Sequence, residues 1–425
     1  MILNKTGILI GASLLAVLLT LPAAASDYTL GVFGNANEDD TINMQDVTYT
    51  ELIILEYRDK TELSDAKYDH KINMQDVTQI ELVILGKEKE LTLIDTAEKI
   101  VTVNKPLTRI IPTYPQAIET LRSIKVPKDI IVGIGTWPTP LDPVFFGEFS
   151  DTPCIGTGWN PDVEAILELD PDAVILFGIG RVDLDPVQDV LELAGITVLR
   201  FNLQTLDIHR DEVEKLGYVF DKRDCAEEYL NWRADILDSI EESVLGLSED
   251  DKPDVYFMPS FNDGLYYIYG QYAYLDMAGG IDIFADQPRN YMALDPEEVI
   301  TRNPDIIVRV TPWDAGGYGV AVGETAEFEA LREEIMSQPE LQNVKAVNDG
   351  NVYIIADHFV SFFPASGCRQ FVQIAYQAKW FHPELFEDLD PQAIHQEYLT
   401  EFQGLDYDLS ENGVFVYPPL EEGTR

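Results

Sequence analysis

The sequence predicts an α/β protein. It has two lobes, each a mostly parallel sheet flanked by helices, joined by a long helix and preceded by a small all-α domain with paired loops. Three observations carry this prediction. Short apolar runs alternate with segments of helical spacing over residues 91–205 and again over 250–425, the pattern of parallel sheets covered by helices. Between them, residues 206–247 hold no strand signal and keep apolar residues at helical spacing. Near the amino end, "INMQDVT" stands at Ile42–Thr48 and again, letter for letter, at Ile72–Thr78.

The first element is a targeting segment. Lys5, an apolar run from Ile8 to Leu21 and "PAAAS" at 22–26 describe a secretory signal over residues 1–26. The alternative is an uncleaved membrane anchor. The first cysteine is Cys154, so no lipid-bearing cysteine follows the cut. No other apolar run approaches the roughly 20 residues that span a bilayer. The protein is therefore expected outside the cell, at its surface. Cys154, Cys225 and Cys368 are too few for a disulfide scaffold, and whether any two of them pair stays open.

Charge narrows the partners. There are 75 acidic residues against 29 basic ones, a net charge of −46. Such a field repels phosphate backbones and excludes nucleic-acid binding. It suits cations.

The repeat spaces oxygen atoms as a twelve-residue cation loop does. Side-chain oxygens come from positions 1, 3, 5 and 12, and position 7 offers its backbone carbonyl. The first copy supplies Asn35, Asn37, Asp39, Thr41 (carbonyl) and Asp46, with Asn43 at position 9 as a direct or water-bridged ligand. The second supplies Asp65, Asp69, Lys71 (carbonyl), Asn73 and Asp76, but Lys67 stands at position 3. An ammonium cannot ligate a cation, so the second loop is the weaker one. Hard oxygens at this spacing fit Ca²⁺. Position 6, which usually takes positive φ, is Asp40 and His70. The competing reading is a pair of helix starts with Asp near each N-terminus, favoured there by capping and the helix dipole.

With Ile42-Asn43 and Ile72-Asn73 at positions 8 and 9, this doubled unit resembles a dockerin. The resemblance sets a domain at 27–86. It implies two calcium loops, each followed by a helix, and docking to a cohesin-like surface protein through those helices.

After the charged linker "GKEKE" at 86–90 comes the second domain, residues 87–425. "LTLIDTAEKIVTVNKPLTRII" reads as a hairpin and a third strand. "YPQAIETLRSI" is helical, "IIVGIG" is a buried strand, and "VEAILELDPDAVILF" and "VLELAGITVLRF" are helix–strand units. Lobe one thus covers about 91–205, the linking helix about 206–247 and lobe two about 250–425. In lobe two the strands are "DVYFMPS", "DIIVRV" and "NVYIIA". The lobes echo each other: Glu164 precedes Pro171, and Glu297 precedes Pro304, at the same spacing before a Pro-Asp turn and an apolar strand.

The order of these motifs, with "IGTGWNPDVEAILELDPDAVI" among them, resembles the helix-linked substrate-binding proteins of ABC importers. The resemblance runs from residue 91 to the end. It implies an iron chelate (siderophore), haem or corrinoid held between the lobes, and an ABC permease as partner. Membrane contact follows only through the signal segment or that permease.

By position, strand-end loops of lobe one carry Tyr114, Trp137, Trp159, Phe177 and Arg181, and those of lobe two carry Ser260, Asn262, Tyr266, Trp313, His358 and Phe359. Ligands of open α/β sheets bind at strand C-terminal ends, and aromatics there suit a planar or chelated ligand. Arg181 and Arg369 are expected to pair with a ligand carboxylate. Each aromatic is weighed against plain packing, and His358 against a packed side chain that Asp357 orients. The resemblance makes Glu164 and Glu297 the permease-docking carboxylates, one per lobe. No GxSxG elbow, HExxH or P-loop occurs, so no enzyme is expected. Two other readings remain: a non-transport ligand sensor or surface-assembly module, and a dockerin-borne glycoside hydrolase.

Overall fold

The computed structural model describes residues 28–137, 141–178, 182–262, 264–270, 272–288, 290–312, 315–360 and 368–420. The expected signal segment, residues 1–26, lies outside them. The chain divides into two compact units.

The first unit comprises the described residues up to Ile94 together with Thr102–Lys105. Helices α1 (Met44–Ile54) and α2 (Met74–Ile84) start at Asn43 and Asn73. Each Asn caps its helix by accepting from the amide of Gln45 or Gln75, at 2.7 and 2.9 Å. Asp46 and Asp76 close the box, accepting from the amides of Asn43 and Asn73, each at 2.8 Å. The repeated motif is thus a repeated helix start. The first loop turns through positive φ at Glu38 (58°), not at Asp40, while the second does so at Tyr68 (53°) and His70 (67°). Strand β1 (Glu90–Ile94) belongs to this unit, bridging Val32 through Leu93. Val103, from β2 (Ile100–Asn104), is fully buried. Glu88 and Lys105 form a buried ion pair. The expected boundary at 86/87 therefore cuts through the first unit: the hairpin read as the opening of lobe one contributes residues 90–94 and 102–105 to that unit.

The second unit holds both lobes. Lobe one contains β3 (Ile110–Pro112), α3 (Pro115–Ser123), β4 (Ile134–Thr136), β5 (Cys154–Thr157), β6 (Asn160–Pro161), α4 (Val163–Glu168), β7 (Ala173–Phe177), α5 (Asp185–Leu193) and β8 (Thr197–Phe201). Its main sheet runs β3-β7-β8, all parallel. β7 reads "AVILF" and is buried throughout, as a strand covered on both faces must be.

The expected single linking helix is two: α6 (Leu206–Val219) and α7 (Arg223–Val244). The chain breaks between them at Asp221, whose φ is 56°. No Gly or Pro marks the break, which is why helical spacing alone missed it.

Lobe two contains β9 (Asp254–Met258), β10 (Phe261–Asn262), β11 (Leu265–Tyr269), α8 (Tyr274–Met277), β12 (Ile281–Asp282), β13 (Tyr291–Leu294), α9 (Pro296–Arg302), β14 (Ile306–Val310), β15 (Gly317–Ala321), α10 (Ala326–Met336), α11 (Lys345–Asp349), β16 (Val352–Ile355), α12 (Gln370–Phe381), α13 (Pro391–Glu397), β17 (Asn412–Val414) and β18 (Val416–Tyr417). The main sheet is β12-β9-β14-β16-β18, parallel except for β18. Two antiparallel sheets, β10-β11-β13 and β15-β17, are added to it. Helix α12 packs back on α7, so the carboxyl-terminal helices tie lobe two to the linker.

Candidate functional site

In lobe one the structure gathers four of the expected aromatics. Tyr114 follows β3, Trp137 follows β4, Trp159 sits in the β5–β6 turn and Phe177 ends β7. Ring centroids of Trp137 lie 4.9 Å from Trp159, 5.7 Å from Phe177 and 6.0 Å from Tyr114. Gly158 allows the close approach, since a Cβ there would stand 3.0 Å from both Trp137 and Tyr114. Tyr114 is fully buried and donates to the Phe201 carbonyl at 2.6 Å, and Trp137 Nε1 donates to Gln116 Oε1 at 2.9 Å. These two hold the wall. Trp159, 40 % exposed, is its open face.

In lobe two the outcome is mixed. Tyr266 lies in the lobe core with Tyr256, Ile268 and Ile307, and its hydroxyl donates to Glu340 at 3.2 Å. Phe359 is likewise buried. Asn262 pairs through its backbone with Leu265, and its side chain lies outside the described residues, as do Arg181 and Trp313. Ser260 shares a hydrogen bond with the Tyr291 hydroxyl at 2.5 Å.

His358 meets the other lobe. Its Nε2 is 3.3 Å from Asp142 Oδ2, so the orienting carboxylate is Asp142 and not the adjacent Asp357. Burial pushes the His358 pKa down, and Asp142 opposes this. The ring is confined by Gly317, where a Cβ would fall 2.2 Å from His358 Cε1. Asp357 is buried with neither carboxylate oxygen hydrogen-bonded among the described residues, and burial pushes its pKa up to about 8. Asp142 gave no sequence signal, because its partner lies far along the chain.

Arg369 is not available to a ligand carboxylate. Its Nε lies 3.1 Å from Glu119 Oε1, both side chains are buried, and the guanidinium stacks over Phe145 at 4.3 Å.

Glu164 and Glu297 occupy the same place in equivalent helices, one residue inside α4 and α9. Asp162 and Asp295 cap those helices by accepting from the amides of Ala165 and Glu297, at 3.1 and 3.0 Å. Both glutamates are exposed.

In the first loop Asn35 is fully buried, and its Oδ1 has no hydrogen-bond partner among the described residues. Around it, Asp46 accepts from the Asn37 amide, Asp39 from the Thr41 amide and Asn37 from the Asp39 amide. Side-chain oxygens that fold a loop in this way, with one buried oxygen left over, fit a hard cation. Burial raises the Asp46 pKa to about 6, as expected of a carboxylate lacking a countercharge. In the second loop both Asp65 oxygens are taken by the amides of Asp69 and His70, and no buried side-chain oxygen of that loop stands unpartnered among the described residues. Among the described residues, no three His, Cys, Asp or Glu side chains gather as a metal site. Among the expected ligands of the first loop only Asp39 and Asp46 are acids, the other oxygens being amide and carbonyl.

Two α/β lobes with helices packed across their junction, and an aromatic wall at the strand ends, define a solute-binding protein. Comparison with known sequences agrees: residues 110–358 match the profile of the periplasmic binding protein family, and the chain belongs to that family. It is a binding protein and not an enzyme, so the hydrolase reading is set aside. It is similar to the high-affinity heme uptake system protein IsdE of Staphylococcus aureus, 25 % identical over 252 residues that cover 58 % of this chain and 78 % of that one. Among solved structures it resembles the TroA-like periplasmic binding protein FepB of Veillonella parvula, with a TM-score of 0.62, 22 % identity, and coverage of 76 % of this chain and 98 % of that one. It also resembles CeuE of Helicobacter pylori with Ni(II) bound, with a TM-score of 0.54, 18 % identity, and coverage of 74 % and 97 %. No helix among the described residues is long and apolar enough to cross a membrane.

Proposed function

We propose that this protein is the extracellular ligand receptor of an ABC importer for an iron chelate, haem or corrinoid. The observation that carries the reading is the Trp137–Trp159 wall at strand C-terminal ends in a chain of this family. The name of the staphylococcal relative, a heme uptake protein, supports cargo of this chemical kind. Trp159 offers a π face to a planar or chelated ligand, and Glu164 and Glu297 offer one exposed carboxylate per lobe to the permease. Titration of tryptophan fluorescence with haem, ferric siderophores and cobalamin tests the reading. Saturable quenching by one of them, at or below about 1 μM, is expected. Binding of none tighter than about 10 μM would remove the ligand class.

The first unit is proposed as a calcium-dependent docking module for a cohesin-like surface protein. The buried, unpartnered Asn35 oxygen is what supports a cation there. Such docking would keep an exported receptor at the cell surface. Calorimetric titration of the full chain should show uptake of about one Ca²⁺, lost in Asn35→Ala. No uptake by the wild type would sink this assignment.

A further inference from the structure

Strand β11 alternates its side chains between two faces. Tyr266 and Ile268 are buried in the lobe core, whereas Tyr267 and Tyr269 are half-buried on the other face. β13 places Tyr291 opposite Tyr269, and Tyr267 and Tyr291 stack with centroids 4.9 Å apart and planes 17° from parallel. Ser260 anchors this pair: its hydroxyl meets that of Tyr291, and its carbonyl accepts from the Tyr267 amide at 3.2 Å. Ser260 stands two residues beyond β9, at the C-terminal end of the parallel sheet.

Arg309 reaches the same place from β14. Its Nη1 donates to the carbonyls of Pro259, at 3.1 Å, and of Val310, and its Nε is buried without an acceptor among the described residues. Two other buried arginines of this unit have a carboxylate at hand, Arg200 with Asp185 at 3.0 Å and Arg369 with Glu119 at 3.1 Å. Arg309 has none within ion-pair distance among the described residues, in a chain with 75 acidic side chains. Arg233 also lacks one, but it sits on α7 and not at a strand end. Burial lowers the Arg309 pKa to about 10, with Glu334, Tyr256 and Tyr291 the groups whose charges act on it. A guanidinium buried without a countercharge is costly unless an anion completes it.

We infer that Tyr267, Tyr291, Ser260 and Arg309 form the lobe-two anchor for a flat, conjugated ligand that carries carboxylates, a tetrapyrrole of the haem type. The inference rests on the receptor reading above and selects among its ligands. The stacked phenols supply an aromatic face, and Arg309 supplies a charge-assisted donor for a carboxylate at the ring edge. A globular ferric siderophore has no flat face to lay on the pair, and a corrin carries amides in place of carboxylates.

The test uses full-length protein in dilute detergent, titrated with haem and with haem dimethyl ester, the same ring with both carboxylates capped. Binding is followed in the Soret band. The wild type should bind the diacid at least about tenfold more tightly than the ester. Arg309→Gln should bring that ratio near one with ester binding kept, and Arg309→Lys should retain part of it. Tyr267→Ala should weaken both forms several-fold. Because each ratio is measured within one protein, a partly unfolded variant lowers both arms alike. Equal affinity of the wild type for both forms, or an unchanged ratio in Arg309→Gln, overturns the anchor and leaves the receptor standing. Failure of the wild type to bind haem, a ferric catecholate and cobalamin alike overturns the receptor reading itself.

Discussion

Glu119 and Arg369, 250 positions apart, face each other inside the second unit with Nε and Oε1 3.1 Å apart. One comes from lobe one and the other from the start of the carboxyl-terminal helices. Tyr398 adds a hydrogen bond to the same Glu119 oxygen at 2.6 Å. The pair is a junction between lobes. Removing one member leaves the other charged and buried, so Arg369→Met or Glu119→Leu alone should cost about 3–5 kcal/mol. The double substitution should cost less than either single one. Urea unfolding of the three variants checks this ordering.

Acidity should act oppositely at Asp46 in the first unit and at His209 in the second. The Asp46 pKa is about 6 in the folded protein, raised by burial against the amides of Asn43 and Asn37, and lies below 4 in an unfolded chain. Between those values the folded state holds a proton that the unfolded state releases. Without calcium, the first unit therefore gains stability as pH falls through 6 and loses it as pH rises. His209 is buried, and its pKa is driven well below the usual value by burial and by Arg233. As pH falls below about 6.5 the unfolded chain takes up a proton that the folded one refuses, so His209 destabilises the second unit around α6, while Asp357, with its carboxyl raised to about 8 by burial, works the other way elsewhere in that unit. Each effect is at most about 1.4 kcal/mol per pH unit. Hydrogen exchange on the calcium-free full chain, corrected for intrinsic rates, should show rising protection of α1 and falling protection of α6 between pH 7 and 5. Asp46→Asn and His209→Gln should each flatten one trend.

Lys67 stands in the second loop where the first has Asn37. Replacing it with Asn restores an oxygen at that loop position. Calcium stoichiometry of the full chain should move from about one toward two. An unchanged stoichiometry would mean that the occupied Asp65 oxygens, not Lys67, weaken the second loop.

Glu164 and Glu297 should matter only to the permease. The double Ala variant should keep its fold and ligand affinity while its half-maximal concentration for stimulating permease ATPase rises about tenfold or more. A parallel loss of ligand affinity would count against a docking role.

Much of the scaffold was legible because its signals are local. The Pro-Asp turns placed β7 and β14, and equal spacing put Glu164 and Glu297 at matching helix starts. The "INMQDVT" repeat marked both helix starts through Asn43 and Asn73. What escaped was set by register and by distance along the chain. A shift of one residue separates core Tyr266 from outward Tyr267, and apolar composition alone does not choose between them. His358 and Asp142, or Arg369 and Glu119, meet only once both lobes have formed. The break at Asp221 carries neither Gly nor Pro.

Val103 lies in the core of the first unit, yet it follows a stretch, Asp95–Val101, that belongs to the second. An exported chain emerges from its amino end. In such a chain both loops of the first unit would be outside before the strand that completes their domain arrives. Each capped helix start can form at once, but the unit closes only after residue 105 has emerged. Cation capture by the first loop would then precede completion of the domain, and the metal would act on the nascent chain as a folding template before it acts on any partner.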